Sequence, residues 1–262
     1  MHLTHTDRDH PRLTLFGGPI LVRGPGTPVL LTPSHERLLT LVWGHGDRGI
    51  SRTAAIWLLW EEEDTPRSRQ RLRQLLHDLG ARLGFRPLTG QDQSRLAPAT
   101  GLVTSDLDEF HRALAAPHLR EALDLLRLGF ASRLDGRTGG EEYEDWLLSK
   151  RESLRRRLGE AAAREWDRAR PAGSWPDALE AAEALAALDP GNEAAVTKLV
   201  EARALTGGLR TAEQAAEEYL SRLPAGSAVS TEAAALFDRI KRMAPTRAAP
   251  ARVKPSQPPL VG

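Results

Sequence analysis

The chain has 262 residues, 40% of them hydrophobic and 27% charged, with a formal net charge of +1 and no cysteine. Two domains of ordinary size fit that length, and the apolar fraction is enough to bury a core. The missing cysteines exclude disulfide staples, thiolate zinc sites, iron–sulfur clusters and cysteine nucleophiles, and no run approaches the roughly 20 apolar residues that cross a bilayer.

Residues 1–10 (MHLTHTDRDH) have neither the basic cap nor the apolar run of a secretory leader, so they read as an unstructured start to a cytoplasmic protein. Short apolar runs follow at Leu13–Phe16, Ile20–Val22 and Val29–Leu31, separated by Gly17-Gly18-Pro19 and Gly24-Pro25-Gly26, which predicts three strands joined by tight turns. Thr32-Pro33 supplies a cap and a first-turn proline for a first helix that Gly44 ends, and Ser51 caps a second that runs to Trp60. After the acidic run Glu61-Glu62-Glu63-Asp64, Thr65-Pro66 opens a third helix to about Gly84. Phe85–Leu88 and Arg95–Ala97 flank a polar turn and predict a hairpin.

From Thr104 to Met243 the sequence is rich in Ala, Leu, Glu and Arg and nothing alternates with period two, so this half is expected to be all helix. Gly173 and Gly207, Trp175 and Leu209, Ala178 and Ala212, Ala181 and Ala215, Ala182 and Ala216, and Pro190 and Pro224 lie 34 positions apart, the tetratricopeptide period. Residues 244–262 carry five prolines and no periodic apolar face, as a linker does. The expected divisions are therefore 1–10, 11–103, 104–243 and 244–262, with 1–103 able to fold in isolation.

Charge is uneven along these divisions. Residues 1–103 hold 13 Arg and no Lys against 10 acids, and seven of those Arg fall between Pro66 and Arg95. In the third helix Leu72, Leu75, Leu76, Leu79 and Leu83 repeat at i, i+3, i+4, i+7 and i+11, a stripe that must face a core. Around the rest of it stand Arg67, Arg69, Gln70, Arg71, Arg73, Gln74 and His77. Arg and Gln match guanine and adenine edges in the major groove, and Arg neutralises phosphates, although a solvated face would look the same in isolation. Two small helices before it and a basic hairpin after it favour double-stranded DNA. Within the hairpin, Arg86, Gln91, Gln93 and Arg95 can reach the backbone or minor groove, or simply form a polar turn. The acidic run opposes DNA and is expected to point away from it, either as a docking patch for a basic protein surface or as a solvated linker.

Catalytic chemistry finds no footing. The histidines show no zinc-ligand spacing, Gly17-Gly18-Pro19 cannot open a phosphate-cradling helix, and Glu141, Glu142, Glu144 and Asp145 fall at a helix start, where acids favour the dipole. Trp146, Trp166 and Trp175 read as core anchors. No enzyme activity, metal or cofactor is expected.

Several stretches resemble a known family in their order. They are Leu13-Thr14-Leu15-Phe16-Gly17, Thr32-Pro33-Ser34-His35-Glu36-Arg37-Leu38-Leu39, Ile50-Ser51-Arg52, Leu59-Trp60, Ser68-Arg69-Gln70-Arg71-Leu72-Arg73, Ser105-Asp106-Leu107-Asp108-Glu109-Phe110 and Leu188-Asp189-Pro190 with Glu193. Together they resemble regulators of the Streptomyces antibiotic regulatory protein type, which join a response-regulator-like winged helix to a bacterial transcriptional activation domain. The resemblance implies an α+β N-terminal winged helix-turn-helix followed by an all-α tetratricopeptide-like helical repeat domain. It further implies a transcriptional activator that binds direct DNA repeats near promoters, where two copies could form a homodimer, and meets RNA polymerase through Glu61, Glu62, Glu63 and Asp64. Asp78, Leu79 and Gly80 stand where that family usually has a basic pair, and Pro258-Pro259-Leu260-Val261-Gly262 looks like a lead into the ATPase domain of larger relatives. The alternative reading is a helical-repeat adaptor whose winged helix touches only protein.

Overall fold

The computed structural model describes residues 11–23, 26–90, 94–136, 140–224 and 226–244. The expected unstructured start, all but the first residue of the proline-rich tail, and Gln91 and Gln93 lie outside the described residues. The first seven strands and three helices are β1 (Arg12–Thr14), β2 (Ile20–Arg23), β3 (Thr27–Val29), α1 (Pro33–Gly44), β4 (Ile50–Ser51), α2 (Arg52–Trp60), α3 (Pro66–Leu83), β5 (Leu88–Thr89), β6 (Arg95–Pro98) and β7 (Thr104–Ser105). The α-helices that follow among the described residues are α4 (Asp106–Ala115), α5 (Leu119–Leu128), α6 (Glu141–Ala169), α7 (Trp175–Leu188), α8 (Glu193–Leu205), α9 (Leu209–Arg222) and α10 (Thr231–Met243).

The strands form two small sheets. One has the order β3-β2-β1-β7, antiparallel except for the parallel pair β1–β7, with Leu13 opposite Leu21 on one side and Ser105 on the other. The second is β4-β6-β5, a hairpin extended by the two residues that precede α2. Leu38, Leu39, Leu41 and Val42 of α1, Ile56 and Leu59 of α2, and Leu72, Leu79 and Leu83 of α3 are buried against one another as a three-helix core. Thr32 caps α1 with an unusual partner: His35 N–H donates to Thr32 Oγ1 and the Thr32 N–H donates back to His35 Nδ1. Burial, and then Arg82, hold this imidazole below its ordinary pKa, which keeps Nδ1 free to accept.

Compact packing divides the chain at Leu188, into Met1–Leu188 and Asp189–Gly262. The change of composition at Thr104 is thus a change of secondary structure inside one unit. Beyond its last antiparallel pair, β1 runs into two backbone N–H groups, of Leu15 and Phe16, which donate to the buried Asp106 carboxylate at 2.7–3.0 Å. Phe16 then bridges to Phe130, Ala131 N–H donates to Leu15 O at 2.7 Å, and the rings of Phe16, Phe110 and Phe130 pack together. On the opposite flank Tyr143 of α6 donates its hydroxyl to Arg37 O of α1 at 3.1 Å. A Cβ on Gly44 would lie 2.7 Å from the Trp146 ring, so only glycine lets α6 approach the end of α1 this closely. A cut after residue 103 would remove β7, Asp106, Phe110 and Phe130 together, all of which the first strand and its continuation contact.

The 34-residue offset reappears in the backbone. Gly173 and Gly207 adopt φ of +70° and +86°, α7 and α9 start two residues later, and Ala178, Ala181, Ala182 and Ala212, Ala215, Ala216 are all buried. Each of these two helices ends two residues before its proline, Pro190 or Pro224. Of the expected tryptophan anchors only Trp166 is enclosed; Trp146 and Trp175 are half-buried.

Burial pushes the Asp106 carboxyl up to about 6, against the Leu15 and Phe16 N–H groups that hold it down. A folded-state value above the ordinary one means that its contribution to stability is complete below about pH 3.8 and is lost as pH rises through about 6. Urea unfolding from pH 4 to 7 is expected to show this slope, and Asp106→Asn, which cannot titrate, to flatten it. Asp106→Ala strands two buried N–H groups and is expected to cost roughly 2–5 kcal/mol at pH 5.

Candidate nucleic-acid interface

The third helix is set in place at both ends. Thr65 and Ser68 form a reciprocal capping box, Pro66 occupies the first turn, and Gly84 closes the helix at φ +69° with its N–H on Gly80 O. Leu72, Leu79 and Leu83 are buried and Leu75 and Leu76 half-buried. On the remaining surface Arg67, Arg69, Gln70, Arg71, Arg73, Gln74 and His77 are all exposed.

Their electrostatic situations differ. Arg69 Nε lies 2.6 Å from Asp64 Oδ1, and this bond, with a second from Thr53 Oγ1, holds the Asp64 carboxyl below its ordinary value. Arg71 NH1 lies 2.7 Å from Glu62 Oε1, while its guanidinium carbon sits 4.4 Å from the centre of the Trp60 ring. Gln74 donates to Asp78 at 2.8 Å, and His77 Nδ1 is 3.5 Å from the same carboxylate. Arg67, Gln70 and Arg73 have no side-chain partner among the described residues.

Glu61–Asp64 do not point away as a block. Glu61 adopts a left-handed backbone (φ 54°) at the end of α2 and accepts the Glu142 N–H at 3.1 Å, so it serves the N-terminus of α6. Glu62 and Asp64 neutralise arginines of α3, and Glu63 is left exposed with its carbonyl receiving Ser68 Oγ and Thr65 N–H.

The hairpin residue Arg95 also stands apart from the basic face. Its guanidinium donates to Arg48 O at 2.9 Å and Gly49 O at 2.7 Å, bracing β6 against the turn before β4. What the hairpin does bring beside α3 is a cleft of about 580 Å³ whose lining includes Arg52, Arg73, His77, Arg86, Phe85 and Leu96, with no acidic residue among the described residues that line it. Arg52 Nε is buried there without a partner among the described residues. Among the residues of this cleft Arg52 is one that helical period does not single out; its signal is its place as the first residue of α2, where a cation opposes the helix dipole and needs another purpose.

No family model and no curated protein matches the chain. Among solved structures, Mycobacterium tuberculosis EmbR in complex with a low-affinity phosphopeptide superposes with a TM-score of 0.51 at 22% identity. In fold the chain is similar to EmbR. The match covers 91% of this chain and 66% of the EmbR chain, so this chain spans just under two thirds of that protein's length. The likeness is one of fold: a winged helix followed by helical repeats. Among the described residues no helix is long and apolar enough to cross a membrane, and no group of His, Asp and Glu is placed to hold a metal ion.

The two sides of α3 are expected to separate by mutation. Leu79→Ala, at a fully buried position, should cost about 2–5 kcal/mol of stability, and Arg73→Ala should leave the urea midpoint where it is.

Proposed function

We propose that the chain is a sequence-specific DNA-binding regulator of transcription, an activator without catalytic activity of its own. The observation that carries this reading is the division of α3 into a buried leucine side and an exposed Arg/Gln side running its length. In a winged helix that side is the one presented to the major groove. Arg67, Gln70, Arg73, Gln74 and His77 would read base edges there, and the cleft at Arg52, Arg73 and Arg86, lined by no acid among the described residues, would take a backbone phosphate. Arg69 and Arg71 can join only by exchanging Asp64 and Glu62 for phosphate. The resemblance to the antibiotic regulatory family supports direct repeats near promoters, occupied by two copies, and RNA polymerase as the partner of the acidic run. Of that run Glu63 is the most available, because Glu61 is occupied at α6.

Titration of promoter DNA selected from genomic fragments, followed against salt, tests the reading. Arg67→Ala and Arg73→Ala are expected to weaken binding; loss of one phosphate contact should lower the salt slope by about one unit, and loss of a base contact should cost roughly 1–3 kcal/mol and relax specificity. Unchanged affinity in both variants would instead favour the protein-only adaptor. Replacing Glu62, Glu63 and Asp64 by Gln, Gln and Asn should leave DNA affinity equal or higher while activated transcription in a reconstituted assay falls. A parallel loss of both would mean that the run only positions α3.

A further inference from the structure

A second cluster of cations lies along α6, which passes the end of α1 at Trp146 and Lys150 and α4 at Arg157. Trp146 and Lys150 are one turn apart on α6 and both reach Gly44: the place a Gly44 Cβ would occupy is 2.7 Å from the Trp146 ring and 3.9 Å from Lys150 Cε. His45, the next residue of α1's end, stacks on Trp146 with ring centres 5.5 Å apart. Arg157 stands two turns beyond Lys150 on the same side of α6, and its NH1 is 3.4 Å from His111 Nε2 of α4. His45, Lys150 and His111 are half-buried and Arg157 is exposed.

These groups have no carboxylate among them. Lys150 makes no hydrogen bond or ion pair with any described residue. The carboxylate that acts on His111, that of Asp108, is bonded to Ser105 Oγ at 2.6 Å, and the neighbouring Glu109 is paired with Arg12. The end of α1 offers little relief, because the Leu41 carbonyl already accepts both His45 Nδ1–H, at 2.7 Å, and the His45 backbone N–H. The cost of the arrangement shows in its protonation. Burial first and Arg157 second pull the Lys150 ammonium down, and burial, Arg157 and Lys150 take His111 to about 4. His45 is lowered by burial against its Leu41 bond, with Lys150 and Arg95 adding to it. A half-buried ammonium with no counter-ion among the described residues, within electrostatic reach of a guanidinium two turns along the same face of α6, is a destabilising feature unless an anion completes it.

We propose that this junction binds a small phosphate dianion, free or as a phosphate monoester, with Lys150 and Arg157 as its ligands and His45 and His111 as its walls. The half-buried setting between three helices suits a compact dianion, whose two charges offset both cations and whose oxygens accept from the three ammonium donors and the free edge of Arg157. The site is separate from the α3 surface and does not depend on the DNA reading.

The test is calorimetric titration of the full chain with inorganic phosphate and, separately, with methyl phosphate, at constant ionic strength set with chloride. Saturable binding of either probe is expected; the stronger of the two identifies the free or the esterified form as the ligand. Lys150→Met and Arg157→Gln should each weaken it at least tenfold, and Arg73→Ala should leave it unchanged. Arg157 is exposed, so its variant keeps the test valid if Lys150→Met alters folding. Absence of saturable binding of both probes, or binding that survives in both variants, overturns the proposal. Binding lost in Arg73→Ala and kept in Arg157→Gln would place the anion at α3 and overturn it equally.

Discussion

The Asp106 carboxylate holds the N–H groups of Leu15 and Phe16, and the placement of nearly every later element in the first unit follows from that grip. A strand that ends in a buried place leaves donors that need acceptors, and an orphaned N–H costs about as much as a lost hydrogen bond. Asp106 answers two of them at once and also opens α4, so the start of the helical half is fixed in angle and position by the end of β1. With α4 fixed, Phe110 meets Phe16 and Phe130, and the loop carrying Phe130 is held in turn by Arg151 of α6, which donates to the carbonyls of Phe130 and Ala131. The first turns of the long helix thereby meet α1, at Tyr143 with Arg37 and at Trp146 with Gly44. A buried carboxylate whose pKa is raised contributes little net stability at neutral pH; its contribution is to specify one arrangement of strand and helix.

On that base α3 carries a divided charge. Arg69 and Arg71 hold acids of the preceding loop, and exposed pairs of this kind are worth little, so a phosphate can displace the carboxylates at small cost. Arg67, Arg73 and Arg52 have no such competitor among the described carboxylates. The acidic loop thus tempers the basic face without blocking it, and Glu61, at the same time, ties the loop to α6. The winged helix and the helices that follow it in the first unit share this loop as well as the Asp106 junction.

Most helices were legible because their signals are local: Thr32-Pro33, Ser51 and Thr65-Pro66 cap α1, α2 and α3 as read, and the leucine stripe of α3 faces the core. The glycine and proline pairs spaced by 34 residues return as matched turns and helix ends. Non-local features were not legible. Two-residue strands such as β4 and β7 are too short to alternate, and they exist only because β6 and β1 supply their partners. The first hairpin strand shrinks to Leu88–Thr89, since Pro87 has no N–H to give and uses only its carbonyl, on Ala99 N–H. At the candidate site the exposed residues of α3 were read correctly from helical period, but their pairing with Glu62 and Asp64, the bracing role of Arg95 and the capping of α6 by Glu61 each need a three-dimensional partner that no spacing announces.

Native-state hydrogen exchange tests most directly whether one cooperative unit presents the α3 surface. The Leu15 and Phe16 amides, together with those buried in α1 and α6, are expected to exchange with a single opening free energy equal to that of global unfolding of the first unit. Exchange of residues 11–103 as a separate, less stable class, while α4–α7 stay protected, would contradict the account.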